Sequence, residues 1–441
     1  MPSLGEEVPM MNRRRFFRAL MAPAVLPLAG RTRRAVTPSL TAEPQDEWPA
    51  PDDPHYWQWI RRQFLIPPDE AFFNTGTLGA CPRQVVDTVT RHMRQLEETL
   101  AHWDYRPEHP DWFSGYRPQL ELRKKLAQVI HARAGEIALT QNATMGMNFM
   151  AHGLDLQPGD EVLSTDQEHP GGRCGWELRA HRDGIIWRPL EIPIPPPDPE
   201  TIVDIFAKAI TPRTRVIAIA HITSQFGIVM PVRQICELAR PRGILTIIDG
   251  AQAVGQLHVN VKEIGCDAYF SSPHKWLLAP PGNGFLYIRQ EKLNDVWTTL
   301  ASGEWNNYRA GAYRLMQYGT GNLSLLKGLE AAIDFHMRIG PDRVQRRIIG
   351  LANRLRQGLQ QIDGVTILSP THPELAGAMV TYRVEGMTGP QLQDELWKRR
   401  KIRVRKMGKN NGVRQSVHIY NSPEEIDATL EIVRDLAARR K

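Results

Sequence analysis

Three kinds of reactive side chain in this 441-residue sequence fall directly behind short apolar runs. Lys275 stands in Phe270-Ser271-Ser272-Pro273-His274-Lys275-Trp276, after a run that reads as a strand. A lysine there either snorkels to solvent or is a desolvated amine, which can act as a nucleophile or a base. Earlier in the chain, Ile247-Ile248-Asp249-Gly250-Ala251-Gln252 sets a carboxylate at the end of another buried run. Acidic groups are rarely buried without a partner. An N-cap or a structural salt bridge would supply one. So would the protonated ring nitrogen of a heteroaromatic cofactor, which the carboxylate would keep able to accept electrons.

An anion end is also present. Gln141-Asn142-Ala143-Thr144 joins a predicted strand to a predicted helix. Free N–H groups and the Thr144 hydroxyl can face a phosphate there, although Thr before a helix is commonly only a cap. Ser272 and His274, beside the lysine, offer two more donors. His169, in Gln167-Glu168-His169-Pro170-Gly171, follows another predicted strand and can lie flat on an aromatic ring; the plainer alternative is a loop histidine without a role. Gly282-Asn283-Gly284 lacks GxGxxG spacing and precedes a strand, so it is not a dinucleotide loop.

Taken together, Asn142-Ala143-Thr144, Glu168-His169, Asp249-xx-Gln252 and Ser272-Pro273-His274-Lys275 resemble aminotransferase class V. That family comprises fold-type I enzymes dependent on pyridoxal 5′-phosphate (PLP), among them cysteine desulfurases, kynureninase and isopenicillin-N-epimerase-like proteins. The resemblance runs from about Trp57 to the C-terminus. It implies PLP as cofactor, held as a Schiff base on Lys275. Asp249 would pair with the ring nitrogen, His169 would stack on the ring, and Gln252 would reach the phenolic oxygen. Asn142, Ala143, Thr144, Ser272 and His274 would surround the phosphate, with Ser224 near the cofactor. Arg414 would grip a substrate carboxylate with Arg405 nearby, and the segment beginning at Asn74 would close over the substrate. Thr320, in Tyr318-Gly319-Thr320-Gly321-Asn322, matches a segment that reaches the neighbouring subunit's phosphate, which implies a homodimer. Two departures narrow the chemistry. Residues 406–412 contain no cysteine to take up sulfur, and Thr223-Ser224 stands where desulfurases often place an asparagine. The expected activity is transamination or related side-chain tailoring of an amino-acid or peptidyl amine. Epimerisation and β-elimination at a C–S bond are the alternatives, with a PLP-binding protein lacking turnover as a reading from another class.

The elements that must position these residues alternate helix and strand from about residue 119. Strands are predicted at 137–140, 161–165, 216–220, 245–248, 267–270 and 284–288, with helices at 120–131, 145–154 and 232–240. Continuous apolar strands separated by helices mean an α/β fold with a mostly parallel sheet of the seven-stranded type, covered on both faces. Ligands bind such sheets at the strands' carboxyl ends. Long helices and strands at 378–384 and 416–419 point to a smaller C-terminal α+β domain. The expected organisation is a leader at 1–35, a linker at 36–54, an N-terminal segment at 55–80, a large PLP-binding domain at 81–325 and a small domain at 326–441.

Hydrophobic residues at 41% and charged residues at 23% exclude a disordered chain. The net charge of +7 is concentrated in the first 35 residues, where seven arginines face only Glu6 and Glu7. The near-neutral remainder argues against a nucleic-acid partner. Asn12-Arg13-Arg14-Arg15-Phe16-Phe17-Arg18 followed by an apolar run resembles a twin-arginine signal, implying the twin-arginine export machinery and a periplasmic or otherwise exported protein. The apolar run is too short for a stable membrane span. Cys81, Cys174, Cys236 and Cys266 are scattered, form no CxxC pair, suggest no metal site and are expected to be buried.

Overall fold

Short β-branched runs such as Val216–Ala220 are too apolar for a half-exposed strand, and the fold buries them on both faces. The computed structural model describes residues 48–99 and 119–439; the leader and most of the linker lie outside them. Residues 50–441 form one unit, to which everything below belongs. In chain order its first elements are α1 (Tyr56–Arg62), β1 (Ala71–Phe72), α2 (Arg83–Glu98), α3 (Leu120–Val129), β2 (Ile137–Thr140) and α4 (Ala143–Gly153). Next come β3 (Glu161–Thr165), α5 (Pro170–Asp183), β4 (Ile186–Leu190), α6 (Pro199–Ala209), β5 (Thr214–Ala220) and α7 (Val232–Ala239). β6 (Leu245–Asp249), α8 (Val261–Ile264), β7 (Ala268–Ser271) and β8 (Gly284–Ile288) complete the large sheet.

That sheet has seven strands in the order β2-β8-β7-β6-β5-β3-β4. β8 runs antiparallel to both neighbours, and the remaining pairs are parallel. The expected α/β fold is therefore present. β4 escaped the sequence reading because Arg188 and Pro189 interrupt its apolar pattern. A proline is tolerated there because β4 is an edge strand, where a missing N–H leaves no ladder bond unmade.

The C-terminal part contains α9 (Leu323–Ile339), α10 (Pro341–Gln360), β9 (Val365–Ile367), β10 (Met379–Val384), α11 (Gly389–Arg400), β11 (Ile402–Arg403), β12 (Arg405–Lys406), β13 (Val413–Ser416) and α12 (Pro423–Ala438). Strands β12-β13-β10-β9 make a four-stranded antiparallel sheet. The strand expected at 416–419 is displaced: β13 ends at Ser416, and Val417 continues only through an N–H to the Ala378 carbonyl, 3.0 Å. Sequence hydropathy favoured the more apolar stretch, whereas cross-strand pairing selects Val413-Arg414-Gln415-Ser416, all buried. The cysteine expectation also needs correction. Cys236 and Cys266 are buried, but Cys174 is exposed and Cys81 half-buried; all four are free thiols.

The N-terminal segment links the two sheets. β1 pairs with β11, and the Ser416 N–H reaches the Phe73 carbonyl at 2.8 Å. Further on, the Gly79 N–H meets the His274 carbonyl at 2.8 Å. A Cβ on Gly79 would lie 2.0 Å from the Lys275 carbonyl oxygen, so glycine is required for this approach. Among the described residues, no helix is long and apolar enough to cross a membrane.

Beneath the carboxyl end of β6, Tyr269 and His221 share a 2.9 Å hydrogen bond, and both are buried. A Cβ on Gly250 would fall 2.0 Å from Cε1 of Tyr269. Gly250→Ala is expected to destabilise the protein by about 3 kcal/mol through overpacking. Urea unfolding measures this, and an unchanged midpoint would show that Tyr269 yields freely.

Candidate active site

The parallel strands end in step. Ala220 pairs with Asp249, and Asp249 with Phe270, so the loops after β5, β6 and β7 emerge on one edge of the sheet. A cleft of about 280 Å³ opens there. It brings together Asn142, Ala143, Thr144, His169, Ser224 and Asp249 with Gln252, Ser272, His274, Lys275, Arg405 and Arg414.

Lys275 follows β7 in a tight turn, where its N–H reaches the Ser272 carbonyl at 3.3 Å. Burial lowers its ammonium pKa to about 8; Arg414 and Arg405 push the same way, and Asp249 opposes them. A substantial fraction of neutral, nucleophilic amine is thus present near neutrality. Asp249 is buried at the end of β6, and its Oδ1 accepts the Ala251 N–H at 2.8 Å. Burial raises its pKa, while Lys275 and that hydrogen bond pull it down. Gly172 gives the carboxylate room, since a Cβ there would sit 2.9 Å from Oδ2. Glu168 lies behind, accepting from the Thr165 hydroxyl at 2.6 Å and the Ala220 N–H at 3.2 Å. Burial pushes this carboxyl up to about 8, so at neutral pH it adds little negative charge near Asp249.

His169 caps α5: its Nδ1 accepts the Gly171 N–H at 3.0 Å, which leaves the neutral ring protonated on Nε2. The ring is open to the cleft mouth. Its pKa falls to about 4, first through desolvation and then through Lys275, Arg405, Arg414 and Arg173. A neutral imidazole at this position can stack without adding positive charge.

At the other end, Asn142 caps α4 through the Met145 N–H at 2.9 Å. Ser272 Oγ accepts the Ala143 N–H at 2.9 Å, leaving its own proton to donate. His274 Nδ1 is buried and unpartnered among the described residues, and Thr144 is exposed on the cleft wall. An unmet buried donor or acceptor next to free hydroxyls fits an oxyanion such as the PLP phosphate. These residues therefore suit the cofactor: Lys275 as its covalent anchor, Asp249 at the ring nitrogen, and Thr144, Ser272 and His274 at the phosphate.

Gln252 is more constrained than the sequence suggests. Its Nε2 donates to the Gly76 carbonyl at 2.8 Å and its Oε1 accepts the Trp276 Nε1–H at 2.8 Å, leaving one amide proton for a ligand. Arg414 is buried on β13 and Arg405 exposed on β12, at facing positions of the same hairpin. Met407, unnoticed in the sequence, also lines the cleft. It lies two residues beyond Arg405, and the period-2 alternation of an extended chain returns it to the same face. Two expected residues do not line the cleft. Asn74 lies behind Thr77, whose hydroxyl donates to its Oδ1 at 2.7 Å. Thr320 is exposed outside the cleft.

The lowered Lys275 pKa has a directional consequence. In cofactor-free protein, the rate of condensation with added PLP is expected to rise with pH through about 8. Asp249→Asn removes the charge that stabilises the ammonium form, so the rise should move to lower pH. A midpoint at the ordinary lysine value of 10.5, or an upward shift in Asp249→Asn, would contradict this electrostatic account.

Comparison with known proteins agrees with this geometry. Residues 113–429 match the family described as Aminotransferase class-V. The chain is 32% identical over 402 residues to isopenicillin N epimerase of Amycolatopsis lactamdurans, covering 86% of this chain and 98% of that protein. It is 33% identical over 390 residues to the Streptomyces clavuligerus enzyme of the same name, covering 84% and 96%. A probable cysteine desulfurase of Xylella fastidiosa is 31% identical over 326 residues, covering 71% and 76%. Among solved structures, a mutant of C-DES with glycine covalently linked to its PLP cofactor superposes with a TM-score of 0.74 at 25% identity, covering 85% of this chain and 99% of that one. The apo cysteine desulfurase of Thermococcus onnurineus NA1 shares the fold, with a TM-score of 0.76 at 24% identity, covering 87% and 98%. With its family match, its lysine–aspartate cleft and these relatives, the chain belongs to the aminotransferase class V family of PLP-dependent enzymes.

Proposed function

We propose that this enzyme binds an amino acid, or a peptidyl substrate with a free amine and a carboxylate on one carbon, by that carboxylate and moves the proton on its Cα. One observation carries the reading: a lysine amine whose pKa burial lowers to about 8 and a pair of guanidiniums without carboxylate partners among the described residues line the same cleft. Arg414 is placed to bind the substrate carboxylate in a planar fork, with Arg405 beside it. That grip orients the substrate so that its Cα–H comes within reach of the Lys275 amine. When bound, PLP supplies the electron sink that makes this proton acidic. Asp249 holds a proton at the ring nitrogen, and Lys275 takes and returns the proton at Cα.

Epimerisation would follow if a group other than Lys275 supplied a proton to the opposite face of Cα, and transamination would follow if the Cα proton did not return and the amine stayed with the bound PLP. Similarity to two isopenicillin N epimerases across nearly their whole length favours epimerisation. Transamination is the second reading. A persulfide-forming desulfurase is disfavoured, because residues 406–412 carry no thiol and Met407 lines the cleft instead. The twin-arginine-like leader supports action outside the cytoplasm, and the Tyr318–Asn322 motif supports a homodimer.

Incubating the PLP-loaded enzyme with a panel of amino acids in D2O tests the reading by NMR. A substrate is expected to lose its Cα proton signal, and Lys275→Ala should slow that loss about 10³-fold. Arg414→Gln should raise KM about a hundredfold, the scale of losing a charge-assisted bidentate contact. Chiral chromatography and a keto-acid assay separate the two outcomes: mixed stereoisomers mean epimerisation, and a keto acid means transamination. Exchange with none of the amino acids would favour a PLP-binding protein without turnover.

A further inference from the structure

We propose that Thr77 is a positioning residue that holds the two cleft guanidiniums in place for a substrate carboxylate. This rests on the reading that Arg414 and Arg405 meet that carboxylate. Thr77 Oγ1 accepts Nη1 of Arg405 at 2.7 Å and Nη2 of Arg414 at 3.2 Å. Its own proton goes to Asn74 Oδ1 at 2.7 Å, an atom that can only accept. A hydroxyl has one proton and two acceptor sites, so these three bonds use all of them and each direction is set. Asn74 therefore turns the lone pairs of Thr77 toward the arginines.

Two like charges meeting on one neutral oxygen need an external reason. Among the described residues, no carboxylate lies within ion-pair distance of either guanidinium. Arg414 is otherwise held by the Ser224 carbonyl, and its Nε is buried without a partner. Arg405 is exposed, and desolvation together with its charge lowers the pKa of Arg414 to about 9. A carboxylate is the ligand this arrangement lacks, and Thr77 orders the pair before it arrives. Ordering an arginine costs up to about 2 kcal/mol of side-chain entropy, and a prepared site lowers that cost at the moment of binding.

The backbone delivers Thr77 by close packing. Asn74 bridges to Ser416, and a Cβ on Gly76 would approach Nη2 of Arg414 to 2.8 Å. The hydroxyl thus comes from a segment fixed against β13 itself, not from a free loop.

The test compares ligands that differ only in the carboxylate. With PLP-loaded wild type, Thr77→Val and Thr77→Ser, the dissociation constants of an amino acid that binds and of its decarboxylated amine are measured from the change in visible absorption. Thr77→Val should weaken the amino acid about tenfold, the scale of one hydrogen bond to a charged group, and leave the amine within twofold. Thr77→Ser keeps the oxygen and should bind both ligands like wild type. If Val packs badly at this position, Asn74→Ala frees the same hydroxyl and should give a smaller loss with the same selectivity. Equal weakening of both ligands, or none, in the variants would overturn the role of Thr77. A wild type that binds the amine and the amino acid equally would instead overturn the carboxylate reading on which it rests.

Discussion

The site depends on one electrostatic arrangement: a lysine ammonium removed from water, faced by a buried carboxylate and crowded by two guanidiniums. Desolvation and the arginines favour loss of the proton, whereas Asp249 favours its retention. The balance leaves an amine that can condense with an aldehyde and then serve as a base near neutrality. Solvation of Lys275 would restore an ordinary lysine. Removal of Asp249 would leave the cleft uniformly cationic and better suited to phosphate than to catalysis.

The fold maintains this balance through close backbone contacts more than through bulky packing. Gly79, Gly172 and Gly250 each stand where a Cβ would strike the lysine turn, the Asp249 carboxylate or Tyr269. The N-terminal segment joins both sheets and supplies the cleft with Gly76 and Thr77. Arg405 and Arg414 are cross-strand neighbours in one hairpin, so a single antiparallel register sets both. Positioning by register costs little entropy, because the strand is already ordered.

Much of the fold was legible because its signals are local. The apolar runs at 137–140, 161–165 and 284–288 coincide with β2, β3 and β8. Lys275, Asp249, His169 and Thr144 were found because ligands gather at the ends of such strands. The polar strands were harder. β4 carries Arg188 and Pro189, and β13 carries Arg414 and Gln415; their pairing is decided by neighbours distant in sequence. Thr77 and the double engagement of Gln252 depend on contacts across the chain, which no spacing rule reveals. Asn74 was recognised by its motif, but its side chain serves Thr77 instead of lining the cleft.

The covalent site can be read out directly. Reducing the PLP-loaded protein with borohydride fixes any imine, and peptide mass mapping then locates the modified residue. One pyridoxyl group on the peptide carrying Lys275, and none after Asp249 and Lys275 are both replaced by alanine, is the expected result. A label on another lysine, or no stable label on a protein that binds PLP, would contradict the account.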